Sequence, residues 1–174
     1  MTTRDWSSML PKFKYHPNAY RNGTFRKCED DKAVTCQCCG CKTIYFYEKV
    51  SAGCLCPNCI ASGNAAKRFD CWFVQDAETV HDKEKVEELF RRTPGYESWQ
   101  GENWLACCTD FCAFLGDTSA KELRKMGVLE EVVADLKAHN GGYCDEPEHL
   151  GSGVSAYLFQ CLHCGKYRIW TDMS

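Results

Sequence analysis

Apolar and polar positions along this chain follow two periods, and each change of period marks a new element. Leu10-Pro11-Lys12-Phe13-Lys14-Tyr15-His16-Pro17 alternates with a period of two between prolines. It reads as an extended edge segment with Phe13 and Tyr15 on one face. Asn18 to Lys32 is rich in turn residues, among them Asn22-Gly23 and Glu29-Asp30-Asp31, and predicts a connector. Strand character follows at Ala33-Val34-Thr35 and at Lys42-Thr43-Ile44-Tyr45-Phe46-Tyr47, on either side of a cysteine-rich turn.

The period then lengthens. Ile60 to Phe69 has helical composition, although Gly63 costs about 1 kcal/mol relative to Ala. Cys71-Trp72-Phe73-Val74 predicts a short strand or a buried turn. Thr79 to Arg92 predicts a helix with Val80, Val86, Leu89 and Phe90 near one face, stopped by Thr93-Pro94-Gly95. The stretch from Cys108 to Leu115 is expected to include a helical turn. Thr118 to His139 is the longest helical stretch, with a break point at Gly127 and an end at Asn140-Gly141-Gly142. Residues 143–153 predict a loop. The chain closes on a hairpin-like unit, Ala156 to Phe159 and Tyr167 to Trp170, around Cys161-Leu162-His163-Cys164-Gly165. The expected class is α+β, with short antiparallel hairpins and three to four helices.

Length sets the scale for these elements. At 174 residues, with no low-complexity segment and no clean linker, the expectation is one compact domain over 1–174. Its N-terminal lobe covers about 10–75 and its C-terminal lobe about 79–174. The formal net charge of −3 argues against bulk binding to a nucleic-acid backbone. Met1-Thr2-Thr3-Arg4-Asp5-Trp6 has no apolar leader region, and no run approaches the ~18 apolar residues of a membrane span. These features predict a cytoplasmic chain whose thiols stay reduced.

Fifteen cysteines change the picture most. An odd count of reduced thiols suits metal ligation better than a disulfide framework. Cys36-x-x-Cys39-Gly40 and Cys161-x-x-Cys164-Gly165 are each followed by a lysine and an aromatic strand, a faint internal echo. Each reads as a zinc knuckle in which the glycine permits the tight backbone path. A knuckle supplies two ligands and needs two more. Cys56 and Cys59, in Cys56-Pro57-Asn58-Cys59 at a helix start, complete the first in a treble-clef-like arrangement. Cys108 and Cys112, four residues apart on the expected helical turn, are assigned to the second. Two structural Zn²⁺ ions are therefore expected. Cys38, Cys41 and Cys54 compete for the first site, and Cys107 and His163 for the second; Cys28, Cys71 and Cys144 read as non-ligands.

These motifs also carry a resemblance. The chain resembles the CbrC family of bacterial proteins over nearly its whole length. The likeness rests on Leu10-Pro11-x-Phe13-x-Tyr15-His16-Pro17, Cys56-Pro57-x-Cys59-Ile60-Ala61, Arg92-Thr93-Pro94-Gly95-Tyr96-x-x-Trp99-Gln100 and Tyr157-Leu158-Phe159-x-Cys161-Leu162-His163-Cys164-Gly165-Lys166. The resemblance implies an association with colicin tolerance. No catalytic residue set comes with it.

Three functional classes follow. The first is a non-enzymatic protein that binds and blocks a protein toxin, whose basic face an acidic partner would suit. The second is a nucleic-acid-binding zinc protein, with Lys12, Lys14, Arg26, Lys27, Arg91 and Arg92 beside Tyr15, Tyr96 and Trp99. The third is an enzyme, which closed four-cysteine sites and the absence of a His-Glu-x-x-His or Gly-x-Ser-x-Gly motif disfavour. The expectation is no enzyme and no catalytic residue.

Overall fold

Short strands and a paired-helix unit build the first part of the molecule. A computed structural model describes residues 10–29, 32–139 and 146–173. The expected helix stop at Asn140-Gly141-Gly142 and the reading of Cys144 as a non-ligand lie outside them. β1 (Arg26–Lys27) pairs antiparallel with β4 (Tyr45–Phe46), and β2 (Val34–Thr35) with β3 (Lys42–Thr43). α1 (Pro57–Ala61) and α2 (Asn64–Phe69) follow. The expected single helix is broken at Gly63, which takes φ 75° as the N-cap of α2. That is left-handed backbone, which glycine adopts without a Cβ penalty. Phe25, Tyr47, Leu55, Ile60, Ala66 and Phe73 form the apolar centre of this part.

Asp82 sets the start of α3 (Lys83–Arg92) by accepting from the amides of Glu84 and Lys85 at 2.9 and 3.3 Å. An N-cap carboxylate satisfies amides that have no partner within the helix, so Thr79 to His81 stay outside it. The expected helical turn at Cys108 to Leu115 is instead strand. β5 (Ala106–Cys107) and β6 (Asp110–Phe111) form a hairpin, and β7 (Ala113–Asp117) continues from it. β7, β8 (Val154–Gln160) and β9 (Tyr167–Met173) make the main sheet in that order, all antiparallel.

α4 (Ala120–Met126) and α5 (Leu129–His139) meet at Gly127, which ends α4 with φ 73° at the expected break. Leu123, Val132, Leu136, Leu158 and Ile169 bury one face of this pair against the sheet. Five α-helices among the described residues and four small antiparallel sheets make the α+β class.

Residues 10–17 do not form a ladder strand. They run along β7, and the Phe114 amide donates to the Tyr15 carbonyl at 2.8 Å. His16 sits behind them, fully buried against Trp104 and Phe114. Its Nδ1 lies 2.7 Å from the Pro94 carbonyl, and its Nε2 2.8 Å from the Asn22 side-chain amide. The carbonyl can only accept and the amide NH₂ can only donate, so the ring is the neutral Nδ1–H tautomer. Tyr96 stacks on Phe114 at 4.3 Å and packs with Trp104, Tyr157 and Phe159. Glu102 is buried beneath them; its carboxylate accepts from the amides of Gln75 and Tyr96 at 2.8 and 2.9 Å. Burial pushes that carboxyl up to about 7, against the pull of the two amides and Lys49.

Two expectations test this packing. A Cβ at Gly95 would stand 2.2 Å from the Phe73 carbonyl oxygen and 2.6 Å from a Glu102 carboxylate oxygen. Gly95→Ala should therefore cost about 3 kcal/mol, read as a shift in the urea midpoint of the zinc-loaded protein. Burial lowers the His16 pKa from 6.5 to about 4, against the pull of the Pro94 carbonyl. Between those values the unfolded chain binds a proton that the folded chain refuses. The stability that His16 contributes is thus complete above pH 6.5 and lost as pH falls towards 4. The advantage of wild type over His16→Gln should shrink by up to about 3 kcal/mol across that window. Parallel pH curves for the two proteins would show that His16 does not carry the effect.

Candidate metal centres

Eight sulfur atoms converge in two groups. In the first, Cys36, Cys39, Cys56 and Cys59 place their Sγ atoms within 4.8 Å of one another. Cys36 and Cys39 come from the turn between β2 and β3. Cys56 caps α1 and Cys59 lies in its first turn, with Pro57 between them at the position where a missing amide hydrogen costs least. The Cys36–Cys59 and Cys39–Cys56 sulfurs are each 3.9 Å apart. Four thiolates at 2.3 Å around a tetrahedral ion would stand about 3.8 Å apart. The spacing fits zinc and is far too long for a disulfide.

The second group is Cys107, Cys108, Cys161 and Cys164. Cys107 lies 3.7 Å from both Cys108 and Cys164, again the edge of a zinc–thiolate tetrahedron. The expected ligand Cys112 is not part of it. Its amide donates to the Leu105 carbonyl, its carbonyl accepts from Trp104 Nε1 at 2.8 Å, and its thiol is buried with the aromatic core. The hairpin excludes Cys112 from the group. Cys108 and Thr109 form its two-residue turn with φ 52° and 60°, so Cys107 and Cys108 both project from the tip. Such turns favour Asn-Gly, and nothing in Cys-Thr announces one. Two non-glycine residues in left-handed backbone are strained, and a metal bond to Cys108 would hold the turn in place.

The two knuckles are built alike, as the echo in the sequence suggests. The Cys36 amide donates to the Cys41 carbonyl and the Gly40 amide to the Cys36 carbonyl, at 2.9 Å each. In the second, Cys161 donates to Lys166 at 2.8 Å and Gly165 to Cys161 at 3.1 Å. Gly40 and Gly165 share φ 75°. Amides turn towards the sulfurs, from Cys56 to Cys36 Sγ at 3.2 Å and from His163 to Cys161 Sγ at 3.4 Å. Burial alone would raise the Cys161 thiol, yet the Cys164 and His163 amides and the neighbouring thiols bring it down to about 6. Thiolate is the form a metal needs.

Cys38, Cys41 and Cys54 stay outside the first group. His163 is held away from the second by Asp110, 2.9 Å from its Nε2. Buried Asp110 also accepts from Tyr15 Oη at 2.8 Å and Lys14 Nζ at 3.0 Å. Burial works against its charge, but these donors hold the carboxyl well below the usual carboxylate range. Of the three aromatics proposed to stack nucleic-acid bases, Tyr15 and Tyr96 are buried and Trp99 is exposed. Lys14 is paired with Asp110, Arg26 with Glu48, and Arg91 with Asp70 and Glu87.

The comparisons agree with a whole-chain pattern. A model for an uncharacterised protein family, UPF0167, matches residues 10–173. The chain belongs to the UPF0167 family. UPF0167 protein PA1536 of Pseudomonas aeruginosa is 37% identical over 171 residues, covering 90% of this chain and 93% of that protein. UPF0167 protein Mb2317 of Mycobacterium bovis is 33% identical over 183 residues, covering 95% and 94%. No solved structure matches. The family carries the name UPF0167 in these matches, not CbrC, and its description assigns no activity.

The two centres differ in exposure. Three of the four cysteines in the first are buried; in the second only Cys161 is, and Cys108 and Cys164 are exposed. Native mass spectrometry of zinc-loaded protein should count two ions in wild type and Cys112→Ala, and one in Cys36→Ser and in Cys107→Ser. A chelator should strip the second centre first. Two ions in Cys107→Ser with one in Cys112→Ala would return Cys112 to the site.

Proposed function

We propose that this UPF0167 chain is a zinc-scaffolded, non-enzymatic binding protein that contacts and blocks a protein toxin. The observation behind this reading is that each sulfur group is closed. Four thiolates saturate a tetrahedral ion and leave no position for the water or substrate that catalytic zinc requires. Zinc would supply folding energy here and nothing to a reaction. Contact surfaces then carry the activity. The toxin as partner rests on the likeness to the colicin-tolerance family and on the net charge of −3, which suits a basic face. No described helix is long and apolar enough to cross a membrane.

The test is protection in living cells. Bacteria expressing the chain should survive challenge with at least one purified nuclease-type colicin about tenfold better than cells carrying an empty vector. The same toxin should co-purify with the tagged chain. Cys36→Ser, which loosens the first centre, should lose both effects. Absence of protection and of any complex across the panel would defeat the reading.

A further inference from the structure

A cleft of about 1210 Å³ lies between the loop at Asn18–Thr24 and Lys49 on one side and β7, β8 and the Tyr96–Trp99 loop on the other. It shares no residue with either sulfur group. Pockets where two lobes meet are common binding sites, because neither lobe alone can surround a ligand.

Three features make the cleft more than a gap. Its lip is an exposed tryptophan: Trp99 is 75% exposed, yet its backbone is fixed. The amides of Trp99 and Gln100 donate to one carboxylate oxygen of buried Asp172 at 3.0 and 3.1 Å, and Tyr157 Oη donates to the same group. A large aromatic side chain on a pinned loop can contact a partner with little ordering cost. The inner wall includes Gly116 of β7, buried, with φ 131° and open space where a Cβ would stand. Another main chain could approach closely there. The third feature is charge. Arg21, Lys49, Glu97 and Asp117 line the cleft, and none makes a direct ion pair or side-chain hydrogen bond among the described residues.

We propose that this cleft holds an extended peptide segment of a partner protein carrying both basic and acidic side chains, with Trp99 packed over it. Glu97 and Asp117 face its cationic groups, and Lys49 and Arg21 its anionic ones. Electrostatics within the cleft point the same way. Burial, with Glu97 and Asp172 nearby, pushes the Asp117 carboxyl up. Burial pushes the Lys49 ammonium down despite Glu97 and Asp117. An opposite charge brought against Lys49 or Asp117 would offset that burial cost, and a mixed-charge chain would supply both signs at once. The volume exceeds the ~300–1,000 Å³ range of drug-sized pockets and suits a stretch of polypeptide.

This inference rests on the reading of the chain as a binding protein, and the experiment separates the two. Zinc-loaded full-length protein is titrated calorimetrically with ten-residue peptides of alternating Lys and Glu spaced by Ala, of Lys and Ala, and of Glu and Ala. The mixed peptide should bind at least about tenfold more tightly than either single-sign peptide. Lys49→Met, Asp117→Asn and Trp99→Ala, all lining the cleft, should each weaken it about tenfold without moving the thermal midpoint. Equal binding of a single-sign peptide, preference for an oligonucleotide, or indifference to all three variants would overturn the proposal, as would no binding at millimolar peptide. A toxin complex untouched by these variants would sink the cleft and spare the binding reading. Peptide binding in a protein that protects against no colicin would do the reverse.

Discussion

Four thiols within 4.8 Å of one another are the constraint on which this structure depends. Without a cation, thiolates so close would repel, and protonated thiols would gain little from meeting. The chain nevertheless builds the same arrangement twice, each time with a knuckle whose glycine and amide bonds aim sulfurs inward. The first group joins residues up to 23 apart; the second joins the β5–β6 hairpin to the turn before β9, more than 50 residues later. Closing long loops costs chain entropy that grows slowly with length. A metal at each point would offset that cost, as binding energy at structural zinc is folding energy.

Charge networks then seat the second centre. Asp110, directly after the hairpin turn and opposite Cys107, gathers Tyr15 and Lys14 from the N-terminal segment and His163 from the knuckle. On the other side, Arg168 on β9 donates from Nε to Asp135 of α5 at 2.9 Å and from its guanidinium to Glu78 and the Ala106 carbonyl. Lys166, directly after the knuckle glycine, also reaches Asp135 at 2.7 Å. Buried charges of this kind are costly unless every member is paired, and here they are. The outcome is a hairpin tip held from three directions while its cysteines stay near the surface.

Much of this was legible because it is local. Cys-x-x-Cys-Gly encodes its own turn, so both knuckles and the first four-sulfur group could be read directly. The break at Gly127 and the Asp82 start of α3 obey rules that act within a few residues; Gly127 announces its break, whereas the apolar periodicity at Val80 places the start of α3 too early. Cys107 stands in the sequence only as a competitor to the chosen ligands, because its role depends on a two-residue turn with unfavourable residues. An i, i+4 pair at Cys108 and Cys112 is persuasive only on a helix, and pairing of β6 with β5 overrides that local pattern. The cleft was likewise hidden. Asn18, Lys49, Trp99 and Asp117 have no shared sequence pattern; they meet only when β7 packs beside the N-terminal segment.

The difference between the centres bears on where function can lie. A buried, unstrained first group with a helix N-terminus beneath it behaves as a keystone. The second is exposed and depends on positive φ at Cys108 and Thr109, so its metal would both order the turn and leave most readily. Neither offers an open coordination position. The cleft, in contrast, has unpaired charges, a glycine in its inner wall and a pinned aromatic lip, which cost stability and gain nothing from the fold itself. Features that the fold does not need are where recognition is best sought. On that argument the two four-sulfur groups serve as the frame, and the proposed recognition belongs to the cleft rather than to either group.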